Sequence, residues 1–301
     1  MRITQGMLNN RLLSDAAARQ AEIAATQREI ATGRRLNRPS DDPLQVREAL
    51  VERSTVSEIE GHRRSATSAT SRLDATDSSL GQLSQLIQRA KELAIQAANG
   101  TVDAKDRETM ALEVDQIAEA AKDAVRVQVD GAWIFSGTDS TTPPYAFGSD
   151  TFAGNAATVA REIGPGVSVG VNVSAASVLG SGQGAADGLL LNTLRDLADH
   201  LRGGTPADLA ALRGADLAGL TANLDTVNAA QATVGAAQVR VDAAVARLDD
   251  LDMAGQTRLR DLEGADLAEA LTRLTTQKTA YEAALKTGAQ LFQLSLLDFL
   301  R

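Results

Sequence analysis

"ATGRRLNRPSDDPLQ", residues 31–45, interrupts a chain whose flanks both read as helix. Gly33 suits the position just past a helix end, where positive φ is needed, and Arg34 and Arg35 then lie by the negative end of the helix dipole. Pro39 restricts Arg38 to extended geometry. Ser40, Asp41 or Asp42 can cap a new helix whose first turn tolerates Pro43. The stretch is therefore a built elbow of Gly33, Pro39, Asp41, Asp42 and Pro43, and the fold follows from the helices it joins.

Upstream, over residues 3–32, Leu12, Ala16, Arg19, Ile23, Thr26 and Ile30 alternate in steps of four and three, which places them on one stripe. Downstream, from about Leu44 to Ala98, Ile59, Ala66, Leu73, Leu80, Ile87 and Ala94 recur every seventh residue, the spacing of a coiled coil. "NGTVD" (99–103) stops that helix and Asp103 can cap a third, whose Met110, Val114, Ile117, Ala121 and Ala124 again step by four and three. The short turn between two seams implies an antiparallel hairpin. From Asp130 to about Gly188 the pattern changes. Val167, Val169, Val171 and Val173 alternate as a strand does, and "DGAWIFSGT" offers a turn dipeptide followed by β-favouring residues. Helix resumes at Leu189–Arg202, again from Pro206 to about Gly255, and continues to the end. There Leu267, Leu271, Leu274, Lys278, Tyr281, Leu285, Gly288 and Phe292 keep the four-three rhythm.

The expected fold is mainly α with a small β-containing head. N- and C-terminal parts form a long antiparallel coiled-coil bundle, with an α/β insertion in the middle of the chain. The divisions are residues 1–43, an N-terminal helix and elbow; 44–130, a helical hairpin; 131–190, the head; 191–262, return helices; and 263–301, a C-terminal helix.

Composition supports long helices packed on small side chains: aromatics are 3% and alanine is abundant. Five of the eight aromatics, Trp133, Phe135, Tyr145, Phe147 and Phe152, fall in the head, and Trp133, Phe135 and Tyr145 are the expected seed of its core. A net charge of −9 with no basic stripe argues against nucleic acid. There is no cysteine for disulfides or thiolate metal sites, and no run suited to spanning a membrane or to a cleaved secretory signal. These features alone suggest a cytosolic protein. His62 and His200 show no ligand spacing and read as solvated helix histidines. "GSGQGAADG" (180–188) lacks the Lys-Ser/Thr of a P-loop and reads as a flexible loop. Asp249, Asp250 and Asp252 lack the glycine turn and distal Glu of an EF-hand, and no serine sits in a nucleophile elbow. Neither catalytic residues, a cofactor nor a metal site is expected.

The heptad seams of residues 44–130 are best read as burying their own helices. The two ends differ, because their stripes are weaker and cannot easily offset the entropy of ordering alone. Copies of the chain are the natural cover for them. The expected assembly interface is Leu12, Ile23, Ile30, Leu271, Leu274, Tyr281, Leu285, Leu291, Phe292, Leu294 and Leu297.

"TGRRLNRPSDDP" resembles the N-terminal signature of the bacterial flagellin superfamily, in the form with proline flanking Asp-Asp that is typical of its hook–filament junction branch. "VDGAWIFSGTD" (129–139), "QATVGAAQVRVDA" (231–243) and "LFQLSLLDFLR" (291–301) are similar to further family motifs, in the family's order along nearly the whole chain. Trp133 stands where that branch more often has Tyr. The resemblance implies an axial structural subunit without enzymatic activity, whose terminal helices pack into an inner tube while the middle of the chain faces outward. It also implies self-association in a ring, contact with a neighbouring hook-associated protein and with flagellin, and an export chaperone before secretion. The cytosolic reading then gives way to an extracellular place in the flagellum, reached without a cleaved signal. A flagellin filament subunit is the alternative, and a cytoplasmic coiled-coil adaptor is a competing reading that leaves "SLLDFLR" and the β head unexplained.

Overall fold

A computed structural model describes residues 5–99, 102–182, 185 and 187–299, with side chains left undescribed at 5, 6, 8, 9 and 288–299. In chain order the elements are α1 (Gln5–Thr32), α2 (Pro43–Ala98), α3 (Ala104–Val125), β1 (Gln128–Val129), β2 (Ala132–Trp133), β3 (Ala160–Gly164) and β4 (Val167–Gly170). They continue with α4 (Ala175–Val178), α5 (Leu190–Gly203), α6 (Pro206–Arg213), α7 (Ala215–Glu263) and α8 (Leu267–Phe299). The residues divide into two compact bodies, one of those up to Glu58 with those from Leu251 onward, the other Ile59–Asp250.

In the larger body the heptad of α2 is buried throughout, from Ile59 to Ala94, and Ala69, Leu83, Ala90 and Ala97 fill the second seam position. α7 answers with its own heptad of Leu220, Val227, Val234, Val241 and Leu248, all buried, a repeat as regular as that of α2. The two helices run antiparallel: Arg63 meets Asp249 (3.6 Å), Asp74 accepts from Gln238 (2.9 Å), and Gly81 faces the Gln231 side chain. Thr76, the polar member of the α2 seam, is buried and returns its hydroxyl to the Arg72 carbonyl (2.8 Å). α3 begins where Asp103 accepts from the Asp106 amide (2.8 Å) and buries Val114, Ile117, Ala121 and Ala124. The helix expected to run on from Pro206 instead breaks at Gly214. α6 is closed at its start by a capping box between Thr205 and Asp208, and α7 starts afresh at Ala215.

The head is assembled from two short hairpins. Asp130 and Gly131 both take positive φ (53° and 75°), the geometry of the tight turn that suits two-residue hairpins, and they join β1 to β2 with Gln128 opposite Trp133. β3 pairs antiparallel with β4. The strand expected through Val173 stops at Gly170. Val171 still donates to the Val159 carbonyl (2.9 Å), but the Asn172 side chain then takes the Val159 amide (2.7 Å) in place of a backbone partner. The glycine-rich loop is pinned where it is described. Asp187 accepts from the Ser181 and Leu189 amides and the Asn192 amide group, and the Tyr145 hydroxyl donates to the Gly180 carbonyl (2.5 Å).

In the smaller body α1 and α8 run antiparallel, with Thr26 donating to Gln277 (2.9 Å) and Arg273 donating to Glu29 (3.2 Å). α7 and α8 are parted by Gly264–Asp266, and Asp266 caps α8 by accepting from the Ala268 and Glu269 amides.

Candidate assembly surfaces

The elbow is held by carboxylates and by a second interruption in the chain. Gly33 takes φ 66° and ends α1. Asp42 is the cap of α2, accepting from the Leu44 and Gln45 amides (3.1 Å each), so Pro43 sits in the first turn where its missing N–H costs nothing. Asp41 turns the other way and accepts from the amides of Asn37 (3.0 Å) and Arg38 (2.8 Å), which braces the approach to Pro39. The segment then pairs with the α7–α8 break. Arg34 and Gly264 form an antiparallel bridge, Arg35 donates to the Glu263 carbonyl (2.7 Å), and Ala265 donates to the Gly33 carbonyl (3.1 Å). The buried Glu263 carboxylate receives Arg53 (2.8 Å) and Arg34 (3.6 Å). Gly264 cannot be larger, because a Cβ there would stand 2.4 Å from the Arg260 carbonyl. Glu263, Gly264 and Arg53 were not singled out by sequence reasoning, although "GAD" at 264–266 is a helix stop followed by a cap, the same grammar as the elbow.

The terminal stripes divide. Leu12, Ile23 and Ile30 of α1 are half-buried and Thr26 is buried. On α8, Ala270 is buried, Leu274, Gln277 and Tyr281 are half-buried, and the α1 contacts above fall on this face. Leu267, Leu271 and Leu285 instead face solvent. The single α8 stripe expected from sequence is thus two faces, with Leu274 and Tyr281 on the half-buried one and Leu271 and Leu285 left open. Leu291, Phe292, Leu294 and Leu297 belong to α8, but their side chains lie outside the described residues.

In the head, Phe135 and Tyr145 are fully buried, and the Tyr145 ring tilts against Phe152 with centroids 5.8 Å apart. Burial pushes the Tyr145 phenol well above its ordinary pKa, and Asp187 and Asp150 add to the rise. Trp133 is a correction. It is only half-buried, held in the β1–β2 ribbon opposite Gln128, and Ile134 takes the fully buried place beside Phe135. Phe147 is 92% exposed, with the Arg126 guanidinium 4.3 Å from its ring centre.

An ion network ties the head to α3 and α5. Lys122, 1% exposed, reaches Asp150 (2.6 Å) and Glu119 (2.9 Å). Arg195 reaches Asp115 (2.8 Å), Glu119 (2.9 Å) and Asp150 (2.9 Å). Burial raises the pKa of Asp150 and of Glu119, but hydrogen bonds from Arg195 and Lys122 outweigh it and hold both below the usual carboxylate range. His200 is also other than expected: it is half-buried, with Nδ1 2.8 Å from the buried Asp216 carboxylate, whose pKa burial pushes up. Among the described residues no group of three or more His, Cys, Asp or Glu could hold a metal ion, and no helix is long and apolar enough to cross a membrane.

The family description "bacterial flagellin N-terminal helical region" matches residues 3–140, and "bacterial flagellin C-terminal helical region" matches residues 217–300. The flagellar hook-associated protein 3 of Salmonella typhimurium is 27% identical over 164 residues, 54% of this chain and 52% of that protein, so the match spans about half of each. Flagellin FlaB1 of Treponema pallidum is 32% identical over 114 residues, 38% of this chain and 40% of the relative. The solved flagellar hook associated protein-3 of Legionella pneumophila superposes with a TM-score of 0.61 at 15% identity, covering 70% of this chain and 99% of the other, a likeness of fold.

Proposed function

The chain belongs to the bacterial flagellin family, and on that premise we propose that it is a structural axial subunit that assembles at the hook–filament junction and connects hook to filament. The observation that carries the reading is the contrast in core between the two bodies. The continuous buried cluster runs from Ala66 to Val241, within the larger body. Among the described residues of the smaller body, Leu36, Ala49 and Ala270 are the buried apolar side chains, while Leu267, Leu271 and Leu285 are open. A helix pair with so little core is completed by burial against neighbours.

In this reading residues 1–43 and 263–301 are the inner-tube helices, 44–130 and 191–262 the surrounding rod, and 131–190 the outer head. The open leucines pack on identical copies in a ring, and on a neighbouring hook-associated protein and flagellin at its two faces. The role is mechanical rather than catalytic. The chain is bound by an export chaperone beforehand and leaves the cell without a cleaved signal. Preference for the junction over the filament rests on the longer match to the Salmonella hook-associated protein and on Pro39, Pro43 and "WIFSGT" in place of the flagellin forms. Immuno-electron microscopy of intact flagella with an antibody to the head tests it. A band where hook meets filament is expected. Label along the filament would make the chain a filament subunit, and an unlabelled flagellum would end both readings.

A further inference from the structure

Arg72 is a buried cation of the larger body with a donor left unmet. It projects from α2, is only 5% exposed, and its Nε is buried with no hydrogen-bond partner. Burying a guanidinium is unfavourable unless an acceptor meets it. The surroundings add positive charge. Burial lowers the Arg72 pKa, Arg161 lowers it further, and Asp130 of the β1–β2 turn offsets only part of this. Arg161 stands on β3 opposite Val169, and the neighbouring Ser168 carbonyl accepts from Arg240 of α7 (3.4 Å), so Arg240 and Arg161 both lie along the β3–β4 hairpin. The Asp74–Gln238 bond sets the α2–α7 register and brings Arg72 and Arg240 to the same level of the helix pair. Two nearby carboxylates are otherwise engaged, Asp74 with Gln238 and Glu162 with the Gly166 amide (3.3 Å).

We propose that Arg72, Arg161 and Arg240 form a binding site for a small oxyanion, a carboxylate or a phosphate, seated where the β3–β4 hairpin meets α2 and α7. Guanidinium groups are planar forks that match two oxygens of such an anion. The narrow exposure of Arg72 limits the ligand to an inorganic anion or the tip of a single acidic side chain. The site is independent of the terminal helices and of the junction reading. Bound anion would fix the hairpin to the bundle.

Thermal unfolding of the full chain tests this, with millimolar inorganic phosphate or acetate added at ionic strength matched with potassium chloride. An anion about tenfold above its Kd should raise the midpoint by about 2–4 °C. Arg161→Gln, at an exposed position, should reduce that shift, and Arg72→Leu should abolish it. A response to phosphate identifies a free anion as the ligand. A response to acetate alone identifies a carboxylate, the group a neighbouring copy would supply. The proposal is overturned if neither anion moves the wild-type midpoint beyond chloride, or if the shift survives undiminished in Arg161→Gln, a result that stands even should Arg72→Leu fail to fold.

Discussion

Asp150 shows how far one side chain can reach in this molecule, since it, like Glu119, receives both Lys122 and Arg195 but does so from the head rather than from α3. Replacing Asp150 with Asn would leave Glu119 as the one carboxylate on the buried Lys122, beside the Ser149 carbonyl, and should cost about 3 kcal/mol at pH 7, read from urea unfolding. The pH dependence has a definite sign. Asp150 and Glu119 have folded pKa values below their unfolded ones, so the stability they contribute is present above the unfolded carboxylate pKa, about 4, and is lost as pH falls through the folded values. Asp216 is raised, so its contribution is complete below the unfolded pKa and fades as pH rises through the folded value. Asp150→Asn should therefore lose less than wild type between pH 5 and pH 2; an unchanged acid limb would show that Asp150 does not carry that loss. Gly137 of "WIFSGT" is fixed for a different reason. It holds φ 72°, and a Cβ would stand 2.2 Å from the Asn155 carbonyl. Gly137→Ala should cost at least about 2 kcal/mol in the same measurement.

Among the elements, the elbow and the α7–α8 break act as one clasp, and that changes what its prolines do. With Asp42 capping α2 and Asp41 bracing Arg38, Pro39→Ala and Pro43→Ala together remove φ restrictions but leave the clasp's hydrogen bonds in place. Gly264→Ala strikes the clasp itself through the Arg260 carbonyl. Secretion should persist in both variants, motility should fall further in Gly264→Ala, and protease nicking within 33–43 should rise several-fold there. Equal swimming by Gly264→Ala and wild type would exclude a mechanical role for the clasp. Much of this was legible in sequence: the α2 heptad, the Gly33 stop, the Asp103 cap and the Asp130-Gly131 turn are local signals read within one or two turns of chain. The single α8 stripe was misread because apolar spacing alone cannot say which of two adjacent faces a partner covers. Membership of the aromatic cluster points Trp133 to the core, while its place in the β1–β2 ribbon leaves it half-buried. Apart from the i,i+3 pair Glu119–Lys122, the ion network had no local signal, because its other pairs are brought together from 28 to 80 residues apart.

For the whole molecule, the thin core of the terminal helix pair predicts that isolated chains lose α1 and α8 first. Amide hydrogen exchange should be fast along both while Ala66–Val241 stays protected. Replacing Leu271 and Leu285 with Ser should leave the melting of the larger body within about 1 °C of wild type, since neither belongs to its core. On the proposed junction role, the same variant should fail to join hook to filament, so that flagellin escapes into the medium; filaments built normally would show that these leucines are not an interface. The clasp and the α1–α8 pair have one more consequence, in time rather than space. Their partners are 227 to 251 residues apart in the chain, whereas Lys122 finds Asp150 only 28 residues away. A ribosome must deliver 227 to 251 further residues before Arg35 can meet Leu262 or Thr26 can meet Gln277, and closing so long a loop is slow as well as late. α1 is thus obliged to wait for α8, a delay during which it remains available to any other binder.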